Sequence, residues 1–165
     1  MTDVGARLRL TFAVVLAAYG LFYIVNPTHY GLLDHVDLAI HETGHLVFRP
    51  FGEFITALGG TLLQLIFPAA FVVYFQRRGD RYAAGVAVWW LAQNCWNVAV
   101  YVKDAQAQEL PLVGGGEHDW AYLLGELGWL EQDQVVGQLV RLAGILLFIV
   151  AMVRCFGTAR EREAA

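Results

Sequence analysis

The chain has little charge and little cysteine. Asp, Glu, Lys and Arg together make up 16% of its 165 residues, below the roughly 25% that is usual in soluble domains. The net charge of −4 and the lack of a basic patch give no reason to expect a nucleic-acid partner. Cys95 and Cys155 both lie in apolar runs and form no CxxC pair, which argues against a disulfide framework and a thiolate metal site.

Apolar residues are in excess. They account for 58% of the chain, and the mean hydropathy is +0.49, whereas soluble domains contain roughly 45–50% apolar residues. Neither an internal repeat nor a low-complexity tract divides the sequence. The composition therefore predicts an integral membrane protein, and the length predicts a single domain over residues 1–165.

Four apolar runs are long enough to cross about 30 Å of hydrocarbon as helices. They cover about residues 8–25, 54–75, 82–102 and 135–155. The first run lacks a small-x-small cleavage site followed by a polar start, so an uncleaved span is favoured over a signal peptide. The predicted fold class is all-α: a polytopic membrane helix bundle with four spans plus short interfacial helices.

Residues 41–45 read His-Glu-Thr-Gly-His, an HExxH pattern. Residues four apart share one face of a helix, so His41 and His45 can hold one metal ion between them. Glu42 is then placed to act as general base on a water that the metal activates. The alternative is a capped, hydrogen-bonded polar patch at a membrane surface.

The motif lies on a predicted helix over about residues 35–48, which Pro50 and Gly52 end. Asp34 is the predicted N-cap, and Asp37 adds negative charge at the positive end of the helix. The helix is too short to span a bilayer and is predicted to be half-submerged. The sequence leaves open whether it is re-entrant or interfacial.

Polar stripes mark the second and third spans. Thr56, Gly60 and Gln64 share one helical face, which faces either the site or a packed neighbour. The third span carries Asn94, Asn97, Tyr101 and Asp104 at steps of 3, 4 and 3. Polar residues within spans are costly unless they face the protein interior, so they are functional candidates. The Asn94, Asn97 and Tyr101 side chains are possible substrate-binding groups, with interhelical hydrogen bonding as the alternative for the two asparagines.

The longest non-spanning piece covers about residues 105–134. Its Gly114–Gly116 run gives the backbone freedom to bring His118 close to another part of the protein. Residues 120–130 are predicted to form a short amphipathic helix whose aromatic side chains suit the headgroup layer.

The distribution of positive charge predicts the orientation. With four spans, one side receives Arg7, Arg9, Arg77, Arg78, Arg81, Arg154, Arg160 and Arg162, and the other only Arg49, Lys103 and Arg141. Both termini are therefore predicted to be cytoplasmic, in an integral cell-membrane protein. All five histidines and Asp104 then share the extracytoplasmic side, which favours a single site there.

A catalytic zinc ion typically takes three protein ligands and one water. His118, Asp104 and Asp119 are the candidates for the third ligand. Ligand chemistry and the glycine loop favour His118, which is the predicted ligand. Asp104 and Asp119 remain as an alternative ligand or as an outer partner that sets a histidine tautomer. A nitrogen and oxygen donor set without cysteine fits one catalytic zinc ion.

An HExGH helix in an integral membrane protein, with a carboxylate at the end of a later span, resembles the site-2-protease-like membrane metalloproteases. The resemblance is carried by His41, Glu42, Gly44 and His45, and more loosely by Asp104. It implies a membrane-embedded zinc site that cuts peptide bonds in or near the bilayer. The chain departs from that family because Ala105, and not glycine, follows Asp104, and because no loop can hold a PDZ-like insertion.

The predicted function is therefore that of a membrane-embedded zinc metallopeptidase, with Glu42 as general base and proton donor to the leaving amine. Its substrate is a peptide or membrane protein, and the small size of the chain favours an oligomer or a partner protein. The alternatives are a zinc-dependent hydrolase of a lipid or another amide, a non-catalytic metal-binding membrane protein, and a scaffold without metal. Replacing Glu42 separates the catalytic from the non-catalytic alternatives.

Overall fold

The computed structural model describes residues 2–112 and 116–163, and its regular structure within those ranges is entirely helical. The helices are α1 (Thr2–Val25), α2 (Leu32–Phe48), α3 (Glu53–Arg77), α4 (Arg81–Lys103), α5 (Asp119–Glu126) and α6 (Asp133–Glu163), with 3-10 turns at Arg49–Phe51 and Leu130–Gln132. The predicted all-α class is confirmed.

By length and composition, three stretches qualify as membrane spans: Val4–Val25, Glu53–Arg77 and Leu130–Ala159. They coincide with the first, second and fourth predicted spans. Large apolar side chains on them remain exposed, as lipid contact requires; Phe12 is 47% exposed and Leu146 65%. A membrane protein is therefore supported. The predicted third span, 82–102, is the helix α4 but is not among the three, so a four-span topology stays a prediction.

The helix α4 lies at the centre of the bundle and packs mainly along α6 and α3. Gln93 and Asn94 are fully buried on it. Such polar side chains lower its hydropathy, and they are tolerated because they face protein and not lipid. Small residues bring α4 and α6 together: a Cβ added at Gly144 would lie 2.7 Å from the Trp96 ring.

The helices α1 and α4 run parallel, in register. Three contacts seven residues apart on both helices show it: the Tyr82 hydroxyl donates to Arg9 O, Trp89 Nε1 donates to Leu16 O, and Tyr23 stacks on Trp96. Both helices therefore end at one end of the bundle, here called the Lys103 end. The helix α3 starts at the same end, because it runs antiparallel to α4.

The motif helix α2 starts inside the bundle. Its first turns reach back along α4, where Gln93 Nε2 donates to Asp34 and Trp90 Nε1 donates to Asp37. Residues 26–31 therefore turn inward from the end of α1, and α2 climbs back antiparallel to α3 towards the Lys103 end. The chain thus enters the interior of the bundle and returns to the same end of it.

The predicted N-cap of α2 is wrong by one turn. The helix begins at Leu32, with Gly31 as N-cap. Asp34 instead occupies the first turn, where its Oδ2 accepts a hydrogen bond from Gly31 N at 2.7 Å. The carboxylate still binds a free N–H of the helix start, but from within the helix.

The helix after the glycine loop is shorter than the predicted 120–130. It covers Asp119–Glu126, and Gly128 follows with a φ of +69°. A glycine in this left-handed conformation ends a helix at little cost. The chain then makes the 3-10 turn Leu130–Gln132 before α6. Gly114 and Gly115 lie outside the described residues.

Gly44 of the HExGH motif is where α2 and α3 touch. A Cβ on Gly44 would lie 2.2 Å from the Gly59 carbonyl oxygen and 2.8 Å from Gly60 Cα. Small residues on both helices thus let the two backbones approach directly. The motif glycine sets the distance between the metal-binding face and α3.

We expect Gly44→Ala to destabilise the protein by about 1–3 kcal/mol, because backbone atoms cannot yield as a flexible side chain can. Thermal unfolding in detergent measures the effect as a lower Tm. Gly5→Ala is the matched control, since nothing lies within 4 Å of a Cβ at that helical position. Equal Tm values for the two variants would contradict a close contact at Gly44.

Candidate metal centre

The two motif histidines present the same nitrogen to one acceptor. His41 Nε2 lies 3.0 Å and His45 Nε2 lies 3.3 Å from Oδ2 of Asp119. The rings are one helical turn apart on α2, with their centroids separated by 4.8 Å. The His41 side chain is 8% exposed and that of His45 22%. The predicted histidine pair therefore converges with a carboxylate from a distant part of the chain.

The other nitrogen of each ring has an oxygen partner on α3. His45 Nδ1 lies 2.8 Å from the carbonyl oxygen of Thr56, and His41 Nδ1 lies 3.2 Å from Gln64 Oε1. A backbone carbonyl only accepts hydrogen bonds, so His45 donates from Nδ1. With Nδ1 as the donor, the lone pair of a neutral His45 ring lies on Nε2, where it can bind a cation.

Asp119 is the first residue of α5, and Tyr101 of α4 holds it. The Tyr101 hydroxyl donates to Asp119 Oδ2 and accepts from Asp119 N, both at 3.2 Å. These two bonds on one hydroxyl fix both the backbone and the carboxylate of the residue. Tyr101, predicted as a possible substrate-binding residue, thus positions the third member of the cluster.

The short distances between Asp119 and the two histidines shift the pKa values of His45 and Asp119. Hydrogen bonding to the Asp119 carboxylate raises the pKa of His45 to about 9, against burial, which acts to lower it. Burial alone would raise the pKa of Asp119, but hydrogen bonds from His41 and His45 outweigh it and lower the pKa to about 2. A cation between the histidine nitrogens and the Asp119 oxygen is therefore stabilised, and either a proton or a metal ion can be that cation.

His118, the predicted third ligand, is turned away from the histidine pair. It caps α5, since Ala121 N donates to its Nδ1 at 3.2 Å. Its Nε2 lies 3.3 Å from Asp104 Oδ2, outside hydrogen-bond geometry. Asp104 in turn accepts from the backbone of Glu109 and Leu110. The structure brings neither His118 nor Asp104 to the pair and places Asp119 there, because the N-cap position directs His118 along the helix axis.

Glu42 stands beside the pair on α2. One of its carboxylate oxygens and one nitrogen of each histidine lie within 4.8 Å of one another. The Asp119 oxygen lies 3.0 and 3.3 Å from the Nε2 atoms of the two histidines. This arrangement suits Asp119 as a ligand and leaves Glu42 for proton transfer.

The cluster lies in a cavity of about 1300 Å³. Glu42, Asn97 and Tyr101 line its wall, as do residues 110–112 of the loop after α4. Asn94 does not line it; this side chain is buried and donates to the carbonyl oxygen of Trp90. Of the three predicted substrate-binding residues, two therefore border the cavity and Asn94 packs inside the bundle.

The remaining histidines stand apart from the cluster. His35 Nδ1 lies 2.8 Å from Gly31 O, and the His29 ring packs edge-on against Phe22 and Tyr23. Both line the cavity, but each has local partners. Sharing one side of the bundle thus does not bring all five histidines into one site.

The donor set fits zinc. Ligand atoms about 2.0–2.1 Å from a tetrahedral zinc ion lie about 3.3 Å apart, and the Asp119 oxygen is 3.0 and 3.3 Å from the two nitrogens. Two imidazoles and one carboxylate are a common catalytic set. Without a cation, the His45 lone pair would face a carboxylate oxygen, and burial would strengthen that repulsion.

Two partners of the site were not identified from the sequence. Gln64 lay on a stripe that packing explained equally well, and only its contact with His41 decides its role. The Thr56 contact uses a backbone oxygen, which every residue type has, so no sequence signal could have found it.

Comparison with known protein families, curated proteins and solved structures finds no match to this chain.

Proposed function

We propose that the protein is a membrane-embedded zinc metallopeptidase whose ligands are His41, His45 and Asp119. One observation carries the proposal: the Nε2 atoms of both histidines meet one carboxylate oxygen within 3.3 Å, with Glu42 beside them. Asp119 replaces His118 as the proposed third ligand. A bound zinc ion would supply a Lewis acid that polarises a carbonyl and lowers the pKa of water.

The chain's own residues supply the remaining chemistry. Glu42 accepts the proton of the attacking water and later delivers it to the leaving amine, which is general acid–base catalysis by one carboxylate. Thr56 and Gln64 orient the two imidazoles, and Tyr101 orients Asp119. The cavity that these groups border has room for an extended peptide segment.

A substrate in or near the bilayer is favoured by the outer face of α2. Leu32, Leu46 and Val47 are 80%, 70% and 51% exposed on this helix. Such apolar side chains suit contact with lipid or with an apolar partner rather than water. The proposed site thus lies beside a surface that a membrane-embedded segment can reach.

The test is metal-dependent cleavage by the purified protein in lipid vesicles. Transmembrane and soluble reporter peptides are incubated with the protein, and mass spectrometry detects the products. We expect cleavage of peptide bonds that a zinc chelator abolishes and added zinc restores. Consumption of vesicle lipid amides, with the peptides intact, would instead favour the lipid hydrolase. No product of either kind, from protein that holds zinc, would support a non-catalytic metal-binding protein.

A further inference from the structure

We infer that Asp34 selects the tautomer of His41 through the side-chain amides of Asn97 and Gln64 and so presents the Nε2 lone pair of His41 to the metal. The inference rests on the proposed metal site, because it concerns how one ligand is prepared. The line of hydrogen bonds runs from His41 Nδ1 to Gln64 Oε1 (3.2 Å), from Gln64 Nε2 to Asn97 Oδ1 (2.8 Å) and from Asn97 Nδ2 to Asp34 Oδ1 (3.0 Å).

Asp34 is the fixed end of the line. Its two oxygens receive four donors, namely the Tyr23 hydroxyl, Gly31 N, Gln93 Nε2 and Asn97 Nδ2. With two donors on each oxygen, the carboxylate is the acceptor in all four hydrogen bonds. Asp34 is 1% exposed, and these four bonds satisfy its buried oxygens.

The direction of the line follows from this end. An amide side chain donates from its nitrogen and accepts at its oxygen. Because Asp34 only accepts, Asn97 turns its nitrogen towards Asp34 and its oxygen towards Gln64. Gln64 must then donate to Asn97, which leaves its oxygen facing His41. His41 consequently carries a proton on Nδ1, and its Nε2 is free to bind a metal.

The two ligand histidines are thus prepared in different ways. The carbonyl oxygen of Thr56 sets the tautomer of His45 directly. A glutamine side chain has no such fixed polarity, since either of its ends can face the ring. Reversing both amides would set the Asn97 oxygen against the carboxylate of Asp34, which is 1% exposed, and such a mismatch at a buried carboxylate is costly. Asp34, Asn97 and Gln64 are therefore positioning residues of the proposed site.

The test measures the zinc dissociation constant of the purified full chain by competition with a chelator. Gln64→Met removes the acceptor for His41 and keeps the length of the side chain. We expect zinc to bind roughly 10- to 100-fold more weakly, as is usual when an outer partner of a ligand histidine is lost. Asn94→Leu is the matched control: Asn94 is buried on the same helix as Asn97 and donates to the carbonyl oxygen of Trp90, but it bonds to neither Asp34 nor His41.

A second variant, Asp34→Asn, preserves size and tests the charge. Nitrogen NMR of labelled histidines in the zinc-loaded protein distinguishes a ring bound through Nε2 from one bound through Nδ1. We expect Nε2 alone in the wild type, and a severalfold weaker affinity with a second His41 signal in Asp34→Asn. This readout does not depend on catalytic activity.

The outcomes separate the inference from the function. If the wild type binds zinc and either Gln64→Met or Asp34→Asn matches it, the inference is wrong and the metallopeptidase proposal stands. An equal loss of affinity in Asn94→Leu and Gln64→Met would also overturn it, because general loosening of the core would explain both. If the wild type binds no zinc, the proposed function fails and the inference fails with it.

Discussion

Glu42→Gln is expected to lower the rate of peptide cleavage by about 10²–10⁴-fold, the usual contribution of a general acid–base group, and to leave zinc bound. The amide matches the carboxylate in size but cannot accept a proton from water. The proposed ligands are His41, His45 and Asp119, whose oxygen lies within 3.3 Å of both Nε2 atoms, so zinc content should not change. Cleavage rate and zinc content are measured on the same detergent-purified sample.

Glu53→Gln is the matched control, because Glu53 is also a carboxylate on the wall of the same cavity. It has no contact with the histidine pair, and cleavage should stay within about threefold of the wild type, since it performs no proton transfer. A Glu42→Gln variant that cleaves at the wild-type rate would show that another group is the base. A wild type that binds zinc and cleaves nothing would favour the non-catalytic alternative.

Asp119→Ala is expected to weaken zinc binding more than the roughly 10- to 100-fold that follows loss of an outer partner, because it removes the proposed third ligand. The loss should approach that of His45→Ala. His118→Asn is the informative comparison, since asparagine is also a good N-cap and can still accept from Ala121 N. Its zinc affinity should remain close to that of the wild type.

The two variants decide between the third ligand that the sequence favours and the one that the structure favours. Elemental analysis and chelator competition give zinc content and affinity for each variant. If His118→Asn loses zinc as completely as His45→Ala, and Asp119→Ala keeps it, the ligand assignment proposed here is wrong. Asp104→Asn should behave like His118→Asn, because Asp104 caps backbone N–H groups of the following loop.

The helices and the histidine pair could be predicted from the sequence because both depend on local rules. Long apolar runs predict spans by composition, and three of the four predicted runs have the length and hydropathy of spans in the structure. The pair needs only a spacing of four residues on one helix, and α2 provides that helix. For α4, burial of Gln93 and Asn94 within the bundle explains why an interior helix has a weaker apolar signal.

The sequence by itself therefore determined an all-helical membrane protein with His41, His45 and Glu42 on one helix. Only the tertiary structure decided which distant residue meets them, because Asp119 lies 78 residues from His41 and its neighbour His118 has equal or better ligand chemistry. Capping of α5 directs the His118 side chain along the helix, and the Asp119 side chain faces the cavity. The partners of the imidazoles were decided in the same way, since a backbone carbonyl and a chain of neutral amides acquire their roles only through packing.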